Sequence, residues 1–301
     1  MNTVTKSYQL PLVLEFLATL NSKHTMIAYH GDLKAFETFV TENAFTVEGL
    51  MPEHLGLYRE GLRQHRSLAS VNRALACLKG YFKFLIVHNV LTRNPTELIR
   101  GFPSPEYVET PGISNEETVK LLASVDGEAP HGPLHHAVLS ILFYMGLRRG
   151  ELIGLNVESL DAEKGIPILR ILGKGNRPRI LPIPEPAFRS LTKYLNTRVY
   201  TRAEGLPLFV STQGNEEKRL APETVRYIVK KYAKLAGLPE NISPHSARVT
   251  AVSNALENGA SVIEVQTMGG WKSIDMVKRY DRSSKQIKNS AIWKINYGGA
   301  K

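Results

Sequence analysis

Only one cysteine, Cys77, stands in 301 residues. A lone thiol closes no intrachain disulfide and builds no thiolate zinc site, which fits a reducing compartment. Its place in the apolar row of a helix makes it core filler. Long apolar runs are missing as well: no stretch approaches the roughly 20 residues of a membrane-spanning helix. The start, Met1 to Leu20, has neither the basic opening nor the small-residue cleavage site of a secretory signal. The expectation is a soluble, cytoplasmic protein. No internal repeat and no low-complexity tract is present. Acidic charge is in deficit, with 28 Asp and Glu against 38 Lys and Arg, a net charge of +10. Such a field attracts nucleic acid or an anionic membrane, and nucleic acid is the better match here.

At this length two domains are expected, because a single core stops growing near this size. Residues 1–100 read as helices: Pro11 to Leu20; a second from near Thr25 with Met26, Tyr29, Leu33, Phe36 and Val40 as its buried stripe; a third from Pro52 with Leu55, Tyr58 and Leu62. The fourth opens near Ser70, carries Val71, Leu75, Leu78, Phe82 and Leu85, and stops before Asn94-Pro95. Arg59, Arg63, Arg66, Arg73, Lys79 and Lys83 lie off these stripes, either as a solvated face or as phosphate contacts. Residues 101–112 hold three prolines and no lysine or arginine, an extended linker. Basic residues outnumber acidic ones by 11 to 8 before it and by 27 to 18 after it. Two basic domains on a semi-rigid linker suit a clamp around a duplex.

The second domain, 113–301, opens with the capping pattern Ser114-Asn115-Glu116-Glu117. A nearly all-apolar helix from His135 to Met145 follows, ended by Gly146. Ile166 to Leu172 and Arg179 to Ile183 read as a hairpin around Gly173-Lys174-Gly175, with Leu206 to Ser211 as a candidate third strand. Helices are expected at Pro186 to Tyr200, Pro222 to Ala236, Pro244 to Asn258, Ser261 to Met268 and, briefly, from Ser273 to Tyr280.

Several residues have two readings. Arg148 follows the apolar helix, with Glu151 one turn on to orient it; the plain alternative is a surface ion pair. Lys174 is either a solvated turn residue or a proton donor carried into a DNA groove. In Ser243-Pro244-His245-Ser246-Ala247-Arg248 the serine cap and first-turn proline fix a helix start. His245 and Arg248 then project from one face beside the positive helix end, an anion site suited to phosphate. Trp271 is a core anchor, an indole donor, or both. Tyr280 is either an amphipathic packing residue or a nucleophile. His131 and His135 have the spacing of helical metal ligands, but Gly132-Pro133 interrupts them and no carboxylate completes the set, so no metal site is expected.

Taken together, Arg148 in Gly-Leu-Arg-Arg-Gly-Glu-Leu, Lys174 in Gly-Lys-Gly, His245-x-x-Arg248, Trp271 and Tyr280 resemble the tyrosine recombinases, or phage integrases, over nearly the whole chain. Most members carry histidine where this chain has a Cre-like tryptophan. The resemblance implies a mainly α fold with a small β-sheet in the C-terminal domain. A helical core-binding domain would precede a mixed α/β catalytic domain. It implies strand cleavage without metal or other cofactor. Tyr280 would be the nucleophile, His245 the base or positioner, Arg148 and Arg248 the clamp on the non-bridging oxygens, Lys174 the acid, Glu151 the support of the arginine, and Trp271 a packing donor. It also implies a homo-tetramer on a double-stranded recombination site, with a tail helix at Lys285 to Ile295 docked on a neighbouring subunit; the alternative is a tail folded on its own domain. The absence of a separate arm-binding domain favours a simple resolution system over a large regulated integrase. The rival readings are a type IB topoisomerase-like enzyme and a non-catalytic DNA-binding protein of the same fold.

Overall fold

The computed structural model describes residues 9–103, 110–173, 177–198, 205–211 and 218–278. The chain divides into two compact units, Met1–Val108 and Glu109–Lys301. In the first, helices α1 (Val13–Ala18), α2 (Lys23–Glu42), α3 (Pro52–His65) and α4 (Leu68–Val87) enclose one core. Serine caps start the two long helices: Ser22 accepts from the Thr25 N–H and Ser67 from the Ser70 N–H, each at 3.3 Å. The expected stripe of α4 is buried throughout, and Cys77 with it. On α2 the stripe holds only from Leu33 onward. Tyr29 is half-buried, stacked at 6.4 Å on Phe16, and Met26, a turn further out, is exposed.

Helix α4 also ends sooner than Asn94-Pro95 required. Asn89 turns left-handed (φ 56°), and the N–H groups of Asn89 and Val90 reach back to the carbonyls of Ile86 and Leu85. This closure satisfies the last carbonyls without help from the proline. Nor is the expected linker free from its first residue. Asn72 clamps the Phe102 backbone from both sides, donating to its carbonyl at 2.9 Å and accepting from its N–H at 2.8 Å. Residues 104–109 lie outside the described residues.

The second unit is built around α6 (Gly132–Met145), whose Leu134, Ala137, Val138, Leu139, Ile141 and Leu142 are almost wholly buried. Gly132 and Pro133 start this helix and do not interrupt it. A Cβ at Gly132 would meet the Asp126 carbonyl, so no other residue fits there. Helices α5 (Asn115–Ala123), α7 (Arg149–Gly154), α8 (Glu185–Leu195), α9 (Pro222–Leu235) and α10 (Pro244–Glu257) pack on α6 directly or through one another. Helix α8 stops five residues short of Tyr200. An antiparallel sheet β1 (Leu160–Glu163), β2 (Ile166–Gly173), β3 (Arg177–Pro182) lies beside them, with Ile171 opposite Arg179.

The expected β2–β3 hairpin is present, but the third strand is β1. Residues 206–211 form only isolated bridges, Asn156 to Pro207 and Val210 to Arg219. Leu208 and Phe209 are drawn into the core, while the Leu208 N–H donates to the Leu155 carbonyl and the Val210 N–H to the Tyr194 hydroxyl. After α10 come α11 (Val262–Gly269) and the single turn α12 (Asp275–Lys278). These close a smaller apolar cluster of Val252, Leu256, Val265, Trp271 and Val277.

Candidate active site

The site begins where α6 ends. Gly146 takes the left-handed conformation (φ 62°) that stops the helix, and a Cβ there would crowd Met268, Ala251 and the Arg248 stem. The next turn delivers Leu147 inward and Arg148 outward, where Arg148 caps α7. Its N–H donates to Glu151 Oε2 at 2.9 Å and its Nη1 to Glu151 Oε1 at 2.7 Å. The Arg148 side chain is 34% exposed, whereas that of Glu151 is 5% exposed. Burial alone would raise the Glu151 carboxyl; hydrogen bonds from Arg179 and Arg148 and the Arg179 charge outweigh it and hold the group below the ordinary carboxylate value. Glu151 therefore orients Arg148, as the spacing predicts, although it belongs to a buried cluster and not to a surface pair.

Arg248 comes from the first turns of α10. Ser243 and Ser246 cap that helix reciprocally, the Ser243 N–H donating to Ser246 Oγ at 3.0 Å. The sequence puts His245 and Arg248 on one projecting face, but the structure separates them by depth. His245 is exposed, while Arg248 is 2% exposed and turned inward. Arg248 Nη1 donates to the Gly146 carbonyl at 2.8 Å and Nη2 to the Gly269 carbonyl at 2.6 Å, and its guanidinium lies 4.2 Å from the centre of the Trp271 ring. The reason is the company it keeps: two helix-end carbonyls and an aromatic face satisfy a buried cation that a surface pose would leave to water. Trp271 thus anchors the small core and floors Arg248, and its ring occupies the space a side chain at Gly269 would need. Desolvation, then the Arg248 charge, then the Arg148 charge lower the His245 imidazole below 6.5, which keeps it neutral at pH 7.

Lys174 and Tyr280 lie outside the described residues, as does the expected tail helix with Ile287, Ile292 and Trp293. Lys174 follows Gly173, the last residue of β2, and Tyr280 comes two residues after α12. His135, one of the histidines weighed as a metal ligand, is engaged with the Tyr232 hydroxyl at 3.0 Å and pushed down to about 4 by burial. One further residue belongs to this cluster. Arg179 sits on the inward face of β3, 10% exposed, and grips Glu151 with both terminal nitrogens at 3.0 and 2.9 Å. An arginine in register with the inward Leu181 was the available signal.

In the helical unit the six candidate phosphate contacts fall into groups. Arg66 and Arg73 converge on buried Asp32. Arg59 and Arg63 lie over the Phe102 ring at 5.0 and 5.1 Å. Lys79 and Lys83, one turn apart, are exposed.

Residues 112–286 match the phage integrase family, and residues 14–89 match the phage integrase N-terminal SAM-like domain. A tyrosine recombinase XerC of Pelobacter propionicus is 30% identical over 266 residues, 87% of this chain and 86% of that one. A tyrosine recombinase XerD of Staphylococcus epidermidis is 28% identical over 297 residues, 95% of each. Among solved structures, XerH site-specific recombinase bound to a palindromic difH substrate in a post-cleavage complex superposes with a TM-score of 0.74 at 20% identity, covering 90% of this chain and 80% of that one. A lambda integrase tetramer bound to a Holliday junction gives 0.72 at 17%, with 91% and 76% covered. These two likenesses show the fold, two domains with a small sheet in the second. On the family match over residues 112–286, this chain belongs to the phage integrase family.

Proposed function

We propose that this chain is a site-specific DNA recombinase that cleaves and rejoins strands through a 3'-phosphotyrosyl intermediate on Tyr280. The observation that carries the reading is the meeting of Arg148 and Arg248, 100 positions apart in the sequence, around Gly146, with His245 feeling both charges. Exposed Arg148 meets the non-bridging phosphate oxygens, and buried Arg248 adds its charge from beneath, beside the α10 N-terminus. Together they stabilise the charge that builds there, the role that metal ions fill in other phosphoryl transfers.

In this mechanism the Tyr280 hydroxyl attacks the scissile phosphorus and gives its proton to neutral His245. The 5'-oxygen leaves with a proton from Lys174. A 5'-hydroxyl of the partner duplex later attacks the phosphotyrosyl bond and releases Tyr280, so one phosphodiester replaces another and no nucleotide is hydrolysed. Glu151 holds Arg148, and Trp271 holds Arg248. Arg59, Arg63, Arg66, Arg73, Lys79 and Lys83 supply phosphate contacts from the helical unit. By likeness to the relatives solved on DNA, the working assembly is a homo-tetramer on a double-stranded recombination site. The tail beyond Tyr280 docks on a neighbour. The event served is resolution, integration or excision of a mobile element or plasmid.

The test is a nicked suicide duplex of the candidate site, incubated in EDTA and resolved on a denaturing gel. A covalent protein–DNA band that vanishes in Tyr280→Phe is the expected result. Demonstrated binding to the same duplex with no band would leave a DNA-binding module in place of the enzyme.

A further inference from the structure

Arg179 has no part in the mechanism above, yet it touches both halves of the site from behind. Its Nη1 and Nη2 donate to Oε1 and Oε2 of Glu151, the parallel fork in which a guanidinium binds a carboxylate best. Its Nε donates to the Met268 carbonyl at 3.2 Å. Its stem lies against Gly270, which is left-handed at φ 61° and where a Cβ would stand 3.3 Å from Arg179 Cδ. The turn it braces, 268–270, carries the Gly269 carbonyl that receives Arg248. Pairing of Arg179 with Ile171 across the sheet fixes where the side chain starts.

We propose that Arg179 is a positioning residue that keeps the charge of Arg148 available to the scissile phosphate; the proposal rests on the recombinase reading. Glu151 is buried and carries one negative charge. Arg179, itself nearly buried, neutralises it and occupies the fork. Arg148 is then limited to a single side-chain hydrogen bond, at Oε1, with its own N–H filling Oε2. It is steered without being neutralised, and the cluster of two arginines and one carboxylate keeps a net charge of about +1 on its exposed member. Without Arg179, the guanidinium still hydrogen-bonded to Glu151 among the described residues is that of Arg148. A buried carboxylate lacking its partner captures the nearest cation, so Arg148 would turn into the fork and withdraw from the phosphate. The same loss would release the 268–270 turn that seats Arg248.

The experiment compares wild type, Arg179→Met, Arg179→Lys and the double variant Arg179→Met/Glu151→Gln. Full-length protein is tested on the nicked duplex, with single-turnover adduct formation at saturating protein and DNA affinity measured separately. Arg179→Met is expected to bind DNA within about threefold of wild type and to cleave at least roughly tenfold more slowly, short of the hundredfold or greater loss expected for deleting a transition-state donor outright. Arg179→Lys, which restores charge without the fork, should fall between the two and covers the case in which the methionine variant does not fold. The deciding readout is the double variant. With a neutral amide at 151 nothing captures Arg148, so the second substitution should restore part of the rate that the first removed. A purely structural role for Arg179 predicts the opposite, a double variant slower than the single one. That outcome, or wild-type cleavage by both single variants, overturns the proposal while leaving the recombinase reading intact. Absence of any Tyr280-dependent adduct from wild type would instead remove the reading on which the proposal rests.

Discussion

Each unit of this protein buries one carboxylate against two arginines, and the two clusters are wired differently. In the helical unit Asp32 is 2% exposed and accepts from Arg66 at 3.1 Å and from Arg73 at 2.9 and 3.0 Å; both arginines reach the surface, at 32% and 45% exposed. In the second unit Glu151 is 5% exposed, but one partner, Arg179, is sunk beside it while the other, Arg148, stays one-third exposed. Asp32 joins α2 to the end of α3 and to α4, so its bonds hold helices together. Glu151 bonds a residue one turn away and a residue on β3, so its bonds aim a side chain. The same triad chemistry thus serves packing in one place and a charged surface group in the other. The difference is whether a buried arginine is present to discharge the carboxylate.

The contrast is sharpest in substitutions that remove one exposed arginine from each cluster. Arg148→Ala should lower the rate of adduct formation by about a hundred- to a thousandfold. Its effect on stability should stay within about 1 kcal/mol, because Arg179 still satisfies Glu151. Arg66→Ala should weaken DNA binding and leave the cleavage rate at saturation unchanged. Single-turnover kinetics with urea unfolding on both proteins separates the two. Loss of cleavage from Arg66→Ala would erase the distinction.

Removing the carboxylate of the helical cluster is the next largest effect. Asp32→Asn takes the shared anion from two arginines and leaves an amide with fewer acceptor sites in a buried position. A loss of about 2 to 3 kcal/mol is expected, read as a lower urea midpoint for the helical unit. Saturated cleavage should be unchanged. A variant of undiminished stability that fails to cleave would assign Asp32 to the chemistry and break the comparison from the other side.

The His245 titration tests the second cluster without relying on activity. Desolvation and the charges of Arg248 and Arg148 depress this imidazole. For a base with a lowered folded value, the neutral form is kept further into acid: the fold is unpenalised above 6.5 and loses stability as pH falls from there toward the folded value. Followed by NMR, His245 in the wild type should titrate below 6.5, and in Arg148→Ala the midpoint should move up toward it. No movement would mean that the Arg148 guanidinium is turned away from the imidazole.

Legibility in the sequence followed the range of the interaction. The Ser243-Pro244 start of α10, the Gly146 stop of α6, the β2–β3 hairpin and the Arg148–Glu151 turn all rest on residues within a few positions of one another. Each was readable. Strand β1, Leu-Asp-Ala-Glu, is four residues long, too short for its alternation to mark a strand, buries none of them fully, and exists because β2 offers it an edge. Residues 206–211 have strand composition, but Leu208 and Phe209 are claimed by the core instead. Asp32 carries no local sign of its burial, since its partners lie 34 and 41 positions away. Arg179 was hidden in the same way, with Glu151 28 positions before it and Met268 89 after. A buried charge is invisible locally, because what permits it is a partner that only the fold supplies.

One polar group near Asp32 has no such partner, and it yields the smallest effect. Burial pushes the Tyr58 phenol well above its ordinary value, and its hydroxyl meets no hydrogen-bond partner among the described residues. The ring itself is well placed, edge-on to Phe36 at 5.0 Å and tilted at the same distance to Phe39. Tyr58→Phe keeps those contacts and removes an unpaired oxygen from the core. Stability should therefore rise, by about 0.5 to 1 kcal/mol, with a gain of a few degrees in Tm. Glu151 offers no comparable gain, since every oxygen of that cluster is already bonded. If Tyr58→Phe lowers the melting temperature instead, the hydroxyl is bonded in solution, and the helical unit's polar cluster extends from Asp32 to Tyr58 as tightly closed as the one around Glu151.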